Sequence, residues 1–296
     1  VTPRPARTGV AVITRNRRES LLRSLGHLLD LPEQPPIVVV DNASTDGTAR
    51  AVRSLASRCP QVTLHAADRN LGATGRNLAA AALPTPYVAF ADDDSWWEPG
   101  ALATAAALFD AYPRLALIAA ATRVGPDGRP DPLNEVLAAS PLGSPPDLPG
   151  PCVLGFLACA AVVRRSAFLD AGGFDPVLHF GGEETLLALE LAGRGWGVAY
   201  CPQVVARHDP DPGPRPARSA RIQRNEVLTA WLCRPLPHAV ARTLRLAAAS
   251  RADPAARTAL AAALRRLPAA LARRRRLPAP VERSIRTLEA GASRSP

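Results

Sequence analysis

Residues 37–48 read Ile-Val-Val-Val-Asp-Asn-Ala-Ser-Thr-Asp-Gly-Thr. Four β-branched apolar residues in a row predict a strand. The lack of polar alternation puts both of its faces in a core, as in the middle of a parallel sheet. The run stops on Asp41, and Thr45-Asp46 predict a helix to about Ser57 with Ser44 or Thr45 as N-cap. The pattern repeats on either side. Upstream, Gly9–Thr14 predicts a strand and Arg18–Leu31 a helix striped by Leu21, Leu22, Leu25, Leu28 and Leu29. Downstream come strands at Val62–Ala66, Tyr87–Ala91 and Leu115–Ala121, separated by helices over Thr74–Ala82 and near Gly100–Asp110. This alternation predicts an α/β fold, a Rossmann-like, mostly parallel sheet flanked by helices. Ligands of such sheets bind outside the carboxyl ends of the strands, so the residues just past each strand are the candidates for function.

The Pro-, Gly- and Asp-rich residues 125–151 predict a long surface loop, a candidate lid over a site. Apolar character returns over Cys152–Val163, followed by helices at Arg164–Ala171 and Glu184–Gly193 and a late strand at Val198–Cys201. From Ala217 the chain reads as Ala/Arg-rich helix broken at Pro235, Pro237, Pro254, Pro268, Pro278 and Pro280. The expected division is an α/β domain over 1–216, with a nucleotide-binding half to about 124 and an acceptor half from about 150, and a C-terminal helical extension over 217–296. Within the extension, Leu260, Leu264, Leu267 and Leu271 follow helical spacing and are expected to pack on the domain. Arg265, Arg266 and Arg273–Arg276 are expected to form a cationic surface.

With 296 residues, 47% hydrophobic and 21% charged, the composition is that of a globular protein. Every basic residue is Arg. Residues 1–233 hold 22 Arg against 23 acidic residues, a net of −1, whereas residues 234–296 hold 14 Arg against Asp253, Glu282 and Glu289, a net of +11. A nearly neutral body argues against specific nucleic-acid binding. The basic tail is suited to peripheral contact with an anionic membrane, where polybasic segments gain about 1 kcal/mol per residue. The five Cys are scattered without a C-x-x-C pair, so neither a zinc cage nor a disulfide framework is expected, and the thiols read as reduced. The stretch VTPRPARTGVAVITRNR shows no apolar run followed by a cleavage site, and no apolar stretch approaches the roughly 18 residues of a membrane span. The expected location is cytoplasmic, with peripheral attachment at the inner face of the membrane.

Chemistry gathers at the strand ends. Asp41 is placed to accept hydrogen bonds from a nucleobase or ribose; a turn with a helix cap explains Ser44, Thr45 and Asp46 but leaves Asp41 without a duty. Asp92-Asp93-Asp94 follows an apolar strand. Three adjacent carboxylates repel one another, and a hard divalent cation removes that repulsion. Strand alternation puts Asp92 and Asp94 on one side and Asp93 on another. Glu183-Glu184 opens a helix after a Gly pair, where a carboxylate suits either a general base or simply the helix dipole. His208 is a candidate further metal ligand if Asp94 holds a cation. Arg76, in Arg69-Asn-Leu-Gly-Ala-Thr-Gly-Arg-Asn77, is within a segment whose glycines permit close approach to a phosphate. Trp96 and Trp97 fit either stacking on a sugar or packing at the sheet edge.

In this order, V-A-V-I-T-R-N-R, V-V-D-N-A-S-T-D-G-T, R-N-L-G-A-T-G-R-N, F-A-D-D-D-S-W-W-E-P-G-A-L, G-G-F-D, G-G-E-E and Arg207-His208 resemble a family 2 glycosyltransferase of the GT-A fold, over about residues 9–210. The resemblance implies inverting transfer of a sugar from a nucleoside-diphosphate sugar, UDP-, GDP- or TDP-linked, to a saccharide or lipid-linked acceptor of the cell-envelope kind, assisted by Mn²⁺ or Mg²⁺. It implies that Asp41 holds the base, that Thr14 and Arg15 border the nucleotide, and that Arg76 touches the donor. Asp92 and Asp93 would lie near ribose and metal, Asp94 would be the foremost metal ligand, and His208 would be a further one. The family's usual base is the Asp of a Glu-Asp pair. Here Glu184 occupies that position and is one methylene longer, so Glu184 is favoured as base with Glu183 as its rival. Two other classes compete: a nucleotide-sugar-binding protein without transfer activity, and a membrane- or nucleic-acid-surface module led by the tail. A nucleotidyltransferase is a lesser rival, since Thr14-Arg-Asn-Arg-Arg18 lacks the glycines of a phosphate loop.

Overall fold

The computed structural model describes residues 6–211, 213 and 217–292. The boundary expected at residue 216 therefore lies outside the described residues. The chain runs β1 (Thr8–Thr14), α1 (Arg18–Leu29), β2 (Ile37–Asp41), α2 (Thr48–Ala56), β3 (Val62–Ala66), α3 (Gly75–Ala82), β4 (Tyr87–Asp92), β5 (Ser95–Trp97), α4 (Ala101–Ala111) and β6 (Leu115–Val124). It continues through β7 (Arg129–Pro130), α5 (Leu133–Ala138), β8 (Ala161–Arg164), α6 (Arg165–Asp170), α7 (Glu183–Gly193) and β9 (Gly197–His208), then α8 (Arg218–Cys233), α9 (Leu236–Ala249), α10 (Pro254–Ala272) and α11 (Ala279–Ala292).

One sheet organises the domain, in the order β3-β2-β1-β4-β8-β6-β9-β5, with β7 paired to β6. Its first four strands are parallel, and beyond β4 the pairing is mixed. β1 and β2 are buried at every position, as continuous apolar runs in a sheet covered on both faces must be. Register decides where function sits: Thr14 lies opposite Asp41, and Ile13 opposite Asp92, so three strands end at one level.

Several local expectations give way to longer-range contacts. α2 starts at Thr48 behind Gly47, whose φ of +85° favours glycine; neither Ser44 nor Thr45 caps it. Ser44 Oγ instead serves Asp41 and the Asn16 backbone N–H, while the Thr45 N–H donates to Asn16 Oδ1 at 2.7 Å. Residues 125–151 are not a bare loop. They contain β7 and α5, with Leu137 and Leu148 buried and Asn134 exchanging two hydrogen bonds with the Thr122 backbone. The late strand reaches His208 rather than Cys201, because Pro202-Gln203-Val204 forms a bulge and pairing with β6 resumes at Val205. Trp96 stacks on His27 with ring centroids 4.2 Å apart, and Trp97 is 1% exposed, so both tryptophans are packing residues.

The extension shares a core with the domain. α7 presents Leu187, Ala188 and Leu191 to the cluster beneath the sheet. Its Leu186 and Leu189 face Val227, Leu228, Leu232 and Ala259 of the extension. A helix apolar all round is buried all round. α10 runs through Pro268 without breaking, and it packs Ala256, Ala259, Ala263 and Ala270; of the leucine stripe, Leu260 packs against the same cluster, while Leu264 and Leu271 are exposed. Much of the expected cationic surface is also occupied. Arg266 donates to the Val177 carbonyl, Arg273 pairs with Asp175 at 3.0 Å, and Arg274 donates to the carbonyls of Trp231 and Arg234. Arg265, Arg275 and Arg276 remain exposed. No helix among the described residues is long and apolar enough to cross a membrane.

Leu187→Ala removes a side chain 1% exposed and is expected to cost about 2–5 kcal/mol in urea unfolding. Leu264→Ala, on the exposed stripe, is expected to change stability by no more than about 0.5 kcal/mol. Equal costs would contradict the packing of α7 and α10 described here.

Candidate active site

Asp41, 2% exposed, accepts from the N–H and Oγ of Ser44 through Oδ1, which closes a turn around Ala43 at φ +56°. It thus has a structural duty after all. Its Oδ2 makes no hydrogen bond among the described residues and is the atom left for a ligand. Asn42 ties β2 to the neighbouring loop, accepting from the Leu71 N–H and donating to the Gly72 carbonyl. Gly72, at φ +61°, lies so close to His179 that a Cβ there would collide with its carbonyl oxygen. That carbonyl accepts from the Ala73 N–H at 2.7 Å, joining the loop after β3 to the segment before α7.

The three carboxylates after β4 part company. Asp92 pairs with Arg76, while Asp93 and Asp94 share Arg17. The expected grouping of Asp92 with Asp94 does not form, because a buried guanidinium draws Asp92 aside. Arg17 reaches Asp93 Oδ1 through Nε at 2.6 Å, Asp94 Oδ2 through Nη2 at 3.1 Å and Asp211 Oδ2 through Nη1 at 2.8 Å. Asp93 also accepts from Thr14 Oγ1 at 2.9 Å, and the Ser24 hydroxyl donates to its backbone carbonyl. Burial pushes the Asp93 carboxyl up to about 7; Arg17 opposes the shift, and the charges of Asp94 and Asp92 add to it. His208 ends β9 with Nε2 3.5 Å from Asp94 Oδ1. Of the residues expected at the nucleotide, Thr14 is buried against Asp93. Arg15 is exposed, and its side chain makes no hydrogen bond or ion pair among the described residues.

Arg76 is 1% exposed and bridges the two halves of the site, with Asp92 on one side and Glu183 Oε1 at 3.7 Å on the other. Its guanidinium thus ties the end of β4 to the start of α7. Glu183, 2% exposed, is pushed up to about 8 by burial and by the charge of Glu184, with Arg76 opposing. Glu184 is partly open to solvent. Burial raises its carboxyl too, while the Ala158 N–H, which it accepts, and Arg76 favour the charged form, and Asp92 disfavours it.

The segment before α7 is held from the extension, which sequence reasoning missed. Asn225, fully buried, donates through Nδ2 to the carbonyls of Leu178, Phe180 and Gly181, and Arg224 donates to those of Leu178 and Phe180. Arg17, Asn42 and Ser95, whose hydroxyl accepts from the Asp92 N–H at 2.7 Å, were missed as well. The signal they had was their place just past a strand end, closest for Asn42, which follows Asp41 directly.

Among the described residues no three His, Cys, Asp or Glu side chains are assembled to hold a metal alone. That suits a Mg²⁺- or Mn²⁺-type site, which takes one or two protein ligands and draws the rest of its shell from water and substrate phosphates. Asp94 and His208, 3.5 Å apart, are residues that could form such a pair, and three carboxylates gather around the one guanidinium of Arg17. Asp92, expected at the metal as well, pairs with Arg76.

Residues 9–171 match the family described as Glycosyl transferase family 2. The chain is 32% identical over 207 residues to the pre-mycofactocin glycosyltransferase of Mycobacterium tuberculosis, covering 68% of this chain but only 42% of that protein. It is 29% identical over 236 residues to the N-acetylglucosaminyl-diphospho-decaprenol L-rhamnosyltransferase of the same organism, covering 67% of this chain and 75% of that protein. The fold is similar to that of the mannosyltransferase PcManGT from Pyrobaculum calidifontis, solved with GDP-Man and Mn²⁺, at a TM-score of 0.61 and 23% identity, covering 100% of this chain and 79% of that one.

Folded Asp93 holds its proton to about pH 7, whereas an unfolded Asp releases it near pH 4. The folded state therefore binds more protons in that window, and the stability owed to this group falls as pH rises through it and is level above. The thermal midpoint of wild type minus that of Asp93→Asn should fall steadily from about pH 4 to pH 7 and level off above. A wild-type midpoint that rises relative to the variant across that window would contradict the burial described.

Proposed function

Since this chain belongs to glycosyl transferase family 2, we propose that it transfers a sugar, with inversion, from a nucleoside-diphosphate sugar to an acceptor hydroxyl, with a divalent cation assisting. The observation that carries the reading is the level at which the strands end: Asp41, Thr14 and the Asp92–Asp94 run stand together, and Arg76 ties that edge to the start of α7. Asp41 Oδ2 is assigned to the nucleoside, with Arg15 bordering it. Asp94 and His208 would hold Mn²⁺ or Mg²⁺, which when bound neutralises the charge developing on a diphosphate leaving group. Thr14 and Arg17 keep Asp93 in place behind that pair.

Glu184 is assigned as the general base. As a residue it keeps some exposure where Glu183 has almost none, and burial gives its carboxylate a raised affinity for the proton, which suits it to take one from an attacking hydroxyl. Glu183 faces Arg76 and keeps that helix start in register. The reading is of a cytoplasmic enzyme. It reaches a saccharide or lipid-linked acceptor by peripheral contact through the exposed Arg265, Arg275 and Arg276, with no specific nucleic acid involved.

Calorimetric titration of UDP, GDP and TDP, with and without Mn²⁺ or Mg²⁺, is expected to show metal-dependent binding of one nucleotide that Asp94→Ala abolishes. A folded chain that binds none of them would overturn the proposal. With the sugar donor of that nucleotide, Glu184→Gln should slow nucleotide release by about 10²–10⁴-fold while leaving nucleotide affinity intact. If Glu184→Gln turns over like wild type, Glu184 is not the base; if wild type binds donor and never turns it over, the chain is a binding protein.

A further inference from the structure

Arginines also gather on the segment 177–181, which leads into Glu183 and Glu184, and the donor site does not use them. Arg224 Nη2 donates to the Leu178 carbonyl at 2.6 Å, and Arg266 Nη1 to the Val177 carbonyl at 2.7 Å. A Cβ on Gly181 would stand 3.5 Å from Arg221 Cβ. The His179 imidazole lies within the field of Arg266, Arg224 and Arg15, whose charges, after burial, hold it below its ordinary value.

What sets this cluster apart is the lack of anions. Among the described residues three arginines are buried: Arg76, Arg224 and Arg234. Arg76 has Asp92 and Glu183, and Arg234 has Glu282 and Glu289. Arg224, 7% exposed, has no carboxylate partner among the described residues, which include every Asp and Glu of the chain. Arg221 and Arg266 likewise have none. Burial and the charges of Arg266 and Arg221 bring the Arg224 guanidinium down to about 10; Glu183, beyond ion-pair distance, opposes this. Carbonyl oxygens satisfy some of the N–H donors but do not neutralise the charge, and a desolvated cation without a counter-ion is costly. Arg224 Nη1, the Arg221 guanidinium and two nitrogens of Arg266 make no hydrogen bond among the described residues, and planar forks of this kind match phosphate oxygens.

We infer that Arg221, Arg224 and Arg266 bind a phosphate or diphosphate group carried by the acceptor, seating it beside the segment that presents Glu184. This rests on the transferase reading, in which the donor's own diphosphate belongs at Asp94 and His208. The cluster meets the segment before α7 from α8 and α10, not from the strand ends. The acceptor class is thus a phosphorylated or diphosphate-linked saccharide rather than a neutral one.

The probe is inorganic pyrophosphate, titrated calorimetrically into the full chain in EDTA; with no divalent cation the carboxylates after β4 repel it. Saturable binding is expected, weakened about tenfold for each guanidinium removed (about 1.4 kcal/mol per decade) in Arg221→Gln and in the Arg221→Gln/Arg266→Gln double variant. Both spare the carbonyl contacts of Arg224, and Asp94→Ala should bind as wild type does. Absence of saturable binding, or equal binding by the double variant, overturns the inference. So does a double variant that loses only its association with phosphatidylglycerol vesicles, which would assign the arginines to a membrane surface. Nucleotide with Mn²⁺, titrated into the same proteins, reports the donor site separately. Failure there in wild type removes the transferase reading, whereas failure of pyrophosphate alone removes only this subsite.

Discussion

The ion on which this site depends is the guanidinium of Arg76, buried between Asp92 at the end of β4 and Glu183 at the start of α7. Removing one partner of a buried pair costs about 3–5 kcal/mol, because the other charge is left uncompensated. The strand end and the helix start therefore cannot drift apart independently. Arg76 also lies over the Phe174 ring, 5.5 Å from its centroid, so the aromatic cluster beneath the sheet fixes it from a third direction. The end of β4 and the start of α7 are thus held together, although 90 residues separate Asp92 from Glu183 in sequence.

The C-terminal helices complete that unit. α7 is apolar on both sides because it is packed on both sides, by the sheet and by α8 and α10. Asn225 then gathers three carbonyls of the turn leading into the helix. A segment rich in positive φ, with His179, Gly181 and Gly182 all left-handed, would be loose without such donors. The extension acts on the start of α7 through packing and hydrogen bonds, and of its arginines Arg234, Arg242, Arg273 and Arg286 pair with carboxylates.

Legibility followed the range of the forces involved. β1, β2 and β4 were readable to within a residue, since burial on both faces leaves a run of apolar side chains with no competing pattern. β5 was missed because Ser95-Trp96-Trp97 is too short to show a period, and its pairing partner lies more than 100 residues on. The start of α2 was misplaced because Asn16, from another loop, recruits the N–H of Thr45. Among site residues, the positions of Asp41, Asp92–Asp94 and His208 past strand ends could be read, but their partners could not. Nothing local tells Arg15, exposed, from Arg17, which threads three carboxylates, or marks Arg76 as buried.

Arg17 among Asp93, Asp94 and Asp211 shows how strongly the strand ends require positive charge, and a diphosphate would bring more negative charge to the same place. The claim that Asp94 and His208 hold a cation against that diphosphate can be seen directly by manganese electron–nuclear double resonance on the ¹⁵N-histidine-labelled chain with a nucleoside diphosphate. The account predicts phosphorus and histidine-nitrogen couplings to one bound Mn²⁺, the nitrogen coupling disappearing in His208→Ala. A Mn²⁺ spectrum identical to that of the ion and nucleotide in buffer would contradict it.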